Sequence, residues 1–380
     1  MAGTMWLLIL VLFVLERYQS PQLAGITAFL AILPGLLLAP LAGALLDRYG
    51  RARLVVADYL IAALAAGLIA GLSVAHALPP PVLLIIVTVA SLTNPLSNAG
   101  ARSLFPMLVP RPMWERANAL DSSGHVIANL LAAPLAGVLV GFIGGEWALT
   151  AAGVVFVAAA VVMLRLPEPS GTSRAEGSVL LNAWRGLAYV ARNRSLRGLA
   201  LTLSVLNVGS GVLYIGLPVL VLGRLHSGPT VVGFLWGAMG AGGLIAALVT
   251  GRMSTQGRER QIIVATTLLS CAAIAVLPLA GSLAVVAAAV IVLGVANGPM
   301  DIALFTLRQR RTDPAWFGRA FAVSMSVNYI GSPIGSALAG PLIAWSLNAA
   351  LWAAVAVSLL AALFPLLMIP EHDDVPSPVI

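Results

Sequence analysis

Long, unbroken apolar runs fill almost the whole chain. They leave few folds open. A helix needs about 20 apolar residues to cross the hydrocarbon of a bilayer. The sequence offers such stretches at roughly 3–18, 21–45, 54–76, 80–104, 117–142 and 147–166, and again at 196–223, 229–252, 261–280, 282–306, 317–343 and 347–369. Charged residues make up only 9% of the chain and apolar ones 60%, whereas a soluble domain is about a quarter charged. Backbone N–H and C=O groups find no water inside lipid, so each span is a helix or part of a closed barrel. The runs do not alternate between apolar and polar residues, which excludes a barrel. The expected fold is an all-α membrane protein of twelve transmembrane helices in two six-helix bundles, with helix 1 shortened.

Arginine placement sets the expected orientation. The net charge is +7 and all 21 basic residues are arginine. With the N-terminus inside, nineteen fall in or beside inside loops, among them Arg48, Arg51, Arg53, Arg252, Arg258, Arg260, Arg308, Arg310 and Arg311; only Arg17 and Arg224 fall outside. The bias of positive residues toward the cytoplasm predicts a multi-pass protein of a bacterial inner membrane with both termini cytoplasmic. The basic balance therefore reflects topology, and nothing resembles a nucleic-acid-binding module. A single cysteine, Cys271, allows neither an intramolecular disulfide nor a thiol metal site. No metal and no cofactor are expected. Residues 1–15 show no basic leader region and no clear cleavage site.

The chain repeats itself. Asn94 matches Asn297 at an offset of 203, as do Arg116-Ala117 with Arg319-Ala320 and Leu135-Ala136-Gly137 with Leu338-Ala339-Gly340. Upstream, Gly25 matches Gly233 and Gly43 matches Gly251 at an offset of 208. This predicts two parallel repeats related by an axis along the membrane normal: a first bundle over 1–170, a cytoplasmic linker over 171–195, a second bundle over 196–370 and a cytoplasmic tail over 371–380. Within the linker, Leu180, Trp184, Leu187, Ala188 and Ala191 share one helical face, with Arg185 and Arg192 elsewhere. Such a helix is expected to lie in the lipid interface.

The loop after the second span reads Gly43-Ala44-Leu45-Leu46-Asp47-Arg48-Tyr49-Gly50-Arg51, with Arg53 and Asp58 following. It resembles the signature loop of the major facilitator superfamily, G-x-x-x-D-R-x-G-R. Ala52 stands where the family usually carries a further basic residue. The resemblance implies a gating latch built from Gly43, Asp47, Arg48, Gly50, Arg51 and Arg53, with Asp58 expected to pair with Arg51 or Arg53. In the second repeat Gly251 and Gly257-Arg258 remain, but Thr255 replaces the acid. The segment Ala101-Arg102-Ser103-Leu104-Phe105-Pro106, followed by Arg116-Ala117-Asn118-Ala119-Leu120, is similar to a loop of bacterial exporters related to enterobactin and macrolide efflux proteins. Pro134 and Gly137 echo part of the family's antiporter motif on helix 5.

Polar residues inside spans are costly and tend to mark pathways. Helix 4 carries Asn94 and Asn98 on one stripe; helix 10 answers with Asn297 and Asp301; helix 5 carries Asp121, His125 and Asn129; helices 7 and 11 offer Asn207 and Asn328. For serine, threonine and asparagine, gluing helices together is the competing role. A carboxyl group held away from water can carry a proton at neutral pH, so Asp301, and after it Asp121 and His125, are candidates for coupling. No H-E-x-x-H, G-x-S-x-G or P-loop pattern occurs, so neither an enzyme nor a directly ATP-driven pump is expected. The leading expectation is a monomeric, proton-coupled exporter of a hydrophobic or amphiphilic small molecule; an importer or uniporter, or a transport-inactive sensor of the same fold, is the alternative. Finally, only about fifteen apolar residues precede Glu16, short of a full span. Helix 1 is therefore expected to lack its cytoplasmic half, through a start placed too late or a natural truncation.

Overall fold

The computed structural model describes residues 2–110, 113–166, 179–313 and 316–370. Among them there is no strand. The helices are α1 (Ala2–Tyr18), α2 (Pro21–Tyr49), α3 (Arg51–Val74), α4 (Pro80–Leu108), α5 (Trp114–Leu164), α6 (Val179–Arg192), α7 (Arg194–Val219), α8 (Pro229–Thr250), α9 (Glu259–Val276), α10 (Leu283–Arg310), α11 (Phe317–Tyr329), α12 (Gly331–Trp345) and α13 (Leu347–Met368). They fall into two compact units, Met1–Leu180 with Gly228–Phe234, and Leu181–Ser227 with Leu235–Ile380.

Local chemistry marks the helix ends. Ser20 opens α2 by accepting from the Leu23 amide at 3.1 Å, with Pro21 in the first helical position; both are standard start signals. Asn193 opens α7 by accepting from the Ser195 and Leu196 amides. Gly50 divides α2 from α3 at φ 97°, ψ 135°, a conformation that a Cβ would disfavour. Gly144, at φ 82°, ψ 164°, splits α5 into two crossings. The eleventh span, α11 followed by α12, keeps helical dihedrals through Ile330, at φ −65° and ψ −26°. Pro333 has no N–H to give the Tyr329 carbonyl one turn back, so the span loses a hydrogen bond there. Counting both halves of α5 and joining α11 to α12, the described helices make twelve crossings. α1 has 17 residues, against 26 in α7, its counterpart in the repeat.

Packing inside each unit relies on small residues. In the second, a Cβ on Gly331 would lie 1.9 Å from the Ser204 carbonyl oxygen and one on Gly335 2.0 Å from that of Val208. The backbones of α7 and α12 thus touch, as interfaces in lipid do when side-chain volume is removed. Large apolar side chains such as Phe142, Trp147 and Trp345 stay exposed on the outer surfaces, where lipid is their solvent.

Arg17 and Arg224 hold equivalent places. Arg17 donates to the Ser73 carbonyl at 3.0 Å and pairs with Glu146 at 3.6 Å, while Ser73 Oγ donates to Glu146. At an offset of 207, Arg224 donates to the Pro278 carbonyl and to Asn348. Each fastens the ends of the first, third and sixth crossings of its unit. At the opposite end of the second unit, Arg194, Arg260 and Arg311 donate to the carbonyls of Leu367, Leu366 and Pro370. They supply donors and positive charge where α13 has run out of both.

α6 presents two different sides. Val190 enters the core formed with Leu196, Leu199, Ile263, Leu304 and Leu307. Tyr189 stacks on Trp316 at 5.0 Å and accepts from the Asp313 amide at 3.0 Å. The apolar face read from the sequence lies elsewhere: Trp184 remains 68% exposed and Leu187 39%.

Candidate functional site

A cavity of about 270 Å³ opens within the second unit, between α7, α8, α9, α10 and α11. Its ends are apolar: Leu213, Leu217, Leu277 and Val290 at one, Leu203, Leu304, Phe305 and Met325 at the other. Between them runs a polar belt of Asn207, Ser210, Ser270, Asn297, Asp301 and Asn328. The antiparallel α9 and α10 explain part of the belt. Thr267 reaches Met300, so one turn on Ser270 comes level with Asn297. Asn297 and Asp301 are one turn apart and share a face of α10. Asp301 is solvent-exposed and Asn297 half-buried.

Hydrogen bonds already made determine what the belt still offers. Asn207 Nδ2 donates to the Asn328 carbonyl at 2.8 Å, which leaves its amide oxygen as an acceptor. Ser210 donates to the Leu206 carbonyl, which leaves its lone pairs. Asp301 adds a carboxylate. Asn328 offers nothing from its side chain: with the amide oriented to satisfy both neighbours, its oxygen accepts from Arg308 and its nitrogen donates to the Ser324 carbonyl, each at 2.9 Å. Ser270 and Trp236 line the cavity, with Ser270 Oγ and Trp236 Nε1 buried in its wall without a hydrogen-bond partner among the described residues. Asn297 adds an amide with both donors and an acceptor, so the belt offers both kinds of group, and one acceptor carries charge.

The polar residues of the first unit are placed differently. Asn94 and Asn98 are both exposed on α4, with Asn98 Nδ2 donating to Asn94 Oδ1 at 2.6 Å. Asn129 accepts from Thr4 of α1 at 3.1 Å, and His125 is exposed one turn earlier. Gly137 meets the first turn of α8, where a Cβ would fall 2.7 Å from the Pro229 carbonyl oxygen. Pro134 lies inside α5. The positions of Gly43, Asp47 and Asp121 are helical, but their side chains lie outside the described residues.

In the loop after α2, Gly50 makes the turn, and Arg48 lies over the Tyr49 ring at 5.2 Å. Asp58 departs from expectation. It is buried and faces the hydroxyls of Thr93 and Ser97 on α4 rather than Arg51 or Arg53. Asp58 lies almost two turns into α3, beyond the reach of the loop arginines, and α4 hydroxyls surround it instead. A second departure is Arg308. Sequence placed it in an inside loop; the structure buries it fully in α10. Reading spans by hydropathy ends the tenth crossing at 306, and that boundary hid it. Glu259 was also missed. It is buried in the first turn of α9 and forms an ion pair with Arg310, four residues past Thr255.

Sequence and fold comparisons agree with this architecture. The model of the Major Facilitator Superfamily matches residues 1–336 and 199–379. The chain belongs to the major facilitator superfamily. It is a multi-pass membrane transporter, and its family and fold are those of transporters rather than enzymes. An uncharacterized major-facilitator transporter, y4rN of Sinorhizobium fredii, is 39% identical over 382 residues, covering 99% of this chain and 93% of that one. The multidrug efflux pump Tap of Mycobacterium tuberculosis is 29% identical over 345 residues, covering 87% and 80%. The exporter-like resemblance of the loop after α4 is thus matched by an efflux-pump relative. The nucleoside transporter NupG superposes with a TM-score of 0.79 at 12% identity, covering 97% of this chain and 96% of that one. At that identity it shows the shared fold.

Proposed function

We propose that this transporter exports a hydrophobic or amphiphilic small molecule, driven by protons that enter and leave through Asp301. The supporting observation is that Asp301 lines an otherwise mostly apolar cavity inside the second unit. A carboxyl group so placed is suited to exchange a proton for a cargo. The carboxylate in the belt favours a cargo that donates hydrogen bonds, and a protonated amine suits it best. Trp236, Phe305 and Tyr329 add ring faces and Met239, Met300 and Met325 add polarisable sulfur, both suited to a lipophilic cation. The arginine bias supports cytoplasmic termini in a bacterial inner membrane, and the loop around Asp47 is the proposed latch of alternating access.

The test is ethidium efflux from loaded cells, with and without a proton uncoupler. Export that persists unchanged with the uncoupler overturns proton coupling. Asp301→Asn keeps the side-chain volume and removes the ionisable group. Uphill efflux should stop while downhill exchange survives. Wild-type uphill efflux in that variant rules Asp301 out as the proton carrier.

A further inference from the structure

The polar belt is built in two levels. Leu206 of α7, Met300 of α10 and Ala361 of α13 form one buried cluster. Asn207 and Asp301, each the next residue along its helix, therefore stand level with one another on the wall of the cavity that both line. α7 and α10 run antiparallel, for Leu199 packs further along with Leu304 and Leu307. One turn the other way, about 5 Å along the axes, Ser210 comes level with Asn297. Asn328 is the third residue of the Asp301 level, and its side chain is committed to Arg308 and Ser324.

Asn207 is held in one orientation. Its Nδ2 donates to the Asn328 backbone carbonyl at 2.8 Å, a group that only accepts. Flipping the amide would set oxygen against oxygen, so Oδ1 is turned away from α11 and keeps its lone pairs for the cavity. This level thus offers two acceptors from two helices, the carboxylate of Asp301 and the fixed neutral oxygen of Asn207. An ammonium held by the carboxylate alone needs one N–H. One that also satisfies Asn207 needs two. The rings of Trp236, Phe305 and Tyr329 on the same cavity have the opposite requirement, because a ring face takes a fully methylated cation that has no N–H at all. The number of N–H groups on the cation therefore separates the two ways of binding.

We infer that Asn207 is a specificity-determining residue that selects primary and secondary amines, by accepting the second N–H of an ammonium whose first is held by Asp301. A tertiary amine, with a single N–H, reaches only the carboxylate and leaves Asn207 Oδ1 without a donor. This inference rests on the reading above only in taking the cavity as the site of a cationic cargo. It is independent of the direction of transport and of what drives it.

The experiment titrates the full chain, in nanodiscs, with octylamine, N-methyloctylamine, N,N-dimethyloctylamine and octyltrimethylammonium, and reads affinity by calorimetry against empty nanodiscs. The buffer is held at about pH 8, where the amines stay protonated. Each added methyl brings apolar surface that favours binding, so a loss on methylation marks a lost hydrogen bond. Parent affinity should hold from octylamine to N-methyloctylamine and fall about tenfold at N,N-dimethyloctylamine, the shift expected when one hydrogen bond to a charged group is lost. In Asn207→Leu those last two should bind alike, and the fall should move to octyltrimethylammonium, where the N–H that serves Asp301 disappears. A dimethyl compound that binds the parent as tightly as the monomethyl one overturns the inference. So does a fall that stays in place in Asn207→Leu, because the second acceptor is then another residue such as Asn297. Absence of binding by any of the four to monodisperse parent protein overturns it as well. If Asn207→Leu does not fold, Asn207→Ala, which adds no bulk, is judged by the same comparison. Calorimetry needs no transport. A parent that shows the fall but never exports ethidium sinks the exporter reading and leaves the role of Asn207 standing; a parent that exports ethidium without the fall does the reverse.

Discussion

Gly50 shows how much one residue of the signature loop carries. At φ 97° and ψ 135° it ends α2 and starts α3 with no residue between, and its carbonyl accepts from Leu54 while its amide donates to the Leu46 carbonyl. A Cβ in this region of backbone space is strained, so Gly50→Ala should cost about 1–3 kcal/mol and lower the unfolding temperature in detergent; an unchanged temperature would show that the turn relaxes freely. Gly50 could be named from the sequence because the motif spacing is fixed. Side chains were harder. Asn328 was read as a pathway residue, and it does line the cavity, but its amide is committed to Arg308 and Ser324. Asp58 was read as a partner of loop arginines and faces hydroxyls. In both, residue type and face followed from spacing. The partner did not, because it depends on which neighbouring helix packs there.

At the scale of elements, hydropathy located the spans. The eleventh was expected over 317–343, and the chain stays helical through Ile330 with one hydrogen bond fewer at Pro333. Gly331-Ser332-Pro333 stands at that point, and proline is common in membrane helices and does not alone announce a break. The small residues around it are there for close approach. Gly331→Ala would place a Cβ 1.9 Å from the Ser204 carbonyl oxygen, a backbone atom with no rotamer to yield. The cost should be about 1–3 kcal/mol, read as a lower unfolding temperature. Gly67→Ala, where nothing lies within 4 Å, is the control and should leave stability within about 0.5 kcal/mol. Equal effects at both positions would contradict the close packing of α7 on α12.

Across the whole molecule, the repeat was readable in outline because helix count, glycine spacing and arginine bias all survive in both halves. What each half did with its charges was not. The signature-loop ends have diverged: the first keeps the acid of the loop, the second pairs Glu259 with Arg310. The opposite ends have kept a common device in different chemistry. Arg17 and Arg224 each donate to a backbone carbonyl of the third crossing of their unit, but Arg17 faces a carboxylate, Glu146, where Arg224 faces the neutral amide of Asn348. This difference predicts unequal penalties. Arg224→Met leaves only neutral acceptors behind, at about 1 kcal/mol. Arg17→Met also leaves Glu146 without its cation, held only by Ser73 Oγ, and should be the more damaging of the two. Glu146 is partly exposed, so the excess is modest, within about 1 kcal/mol. Adding Glu146→Gln to Arg17→Met should recover that excess, since the remaining side chain then resembles Asn348. The measurement is a double-mutant cycle on the unfolding temperature, with ethidium efflux followed in parallel. Because each arginine fastens crossings within one unit, efflux should survive in every variant that folds. If Glu146→Gln fails to relieve Arg17→Met, the pair at 3.6 Å contributes no net electrostatic stabilisation, and the two arginine-fastened ends are equivalent in energy as well as in position.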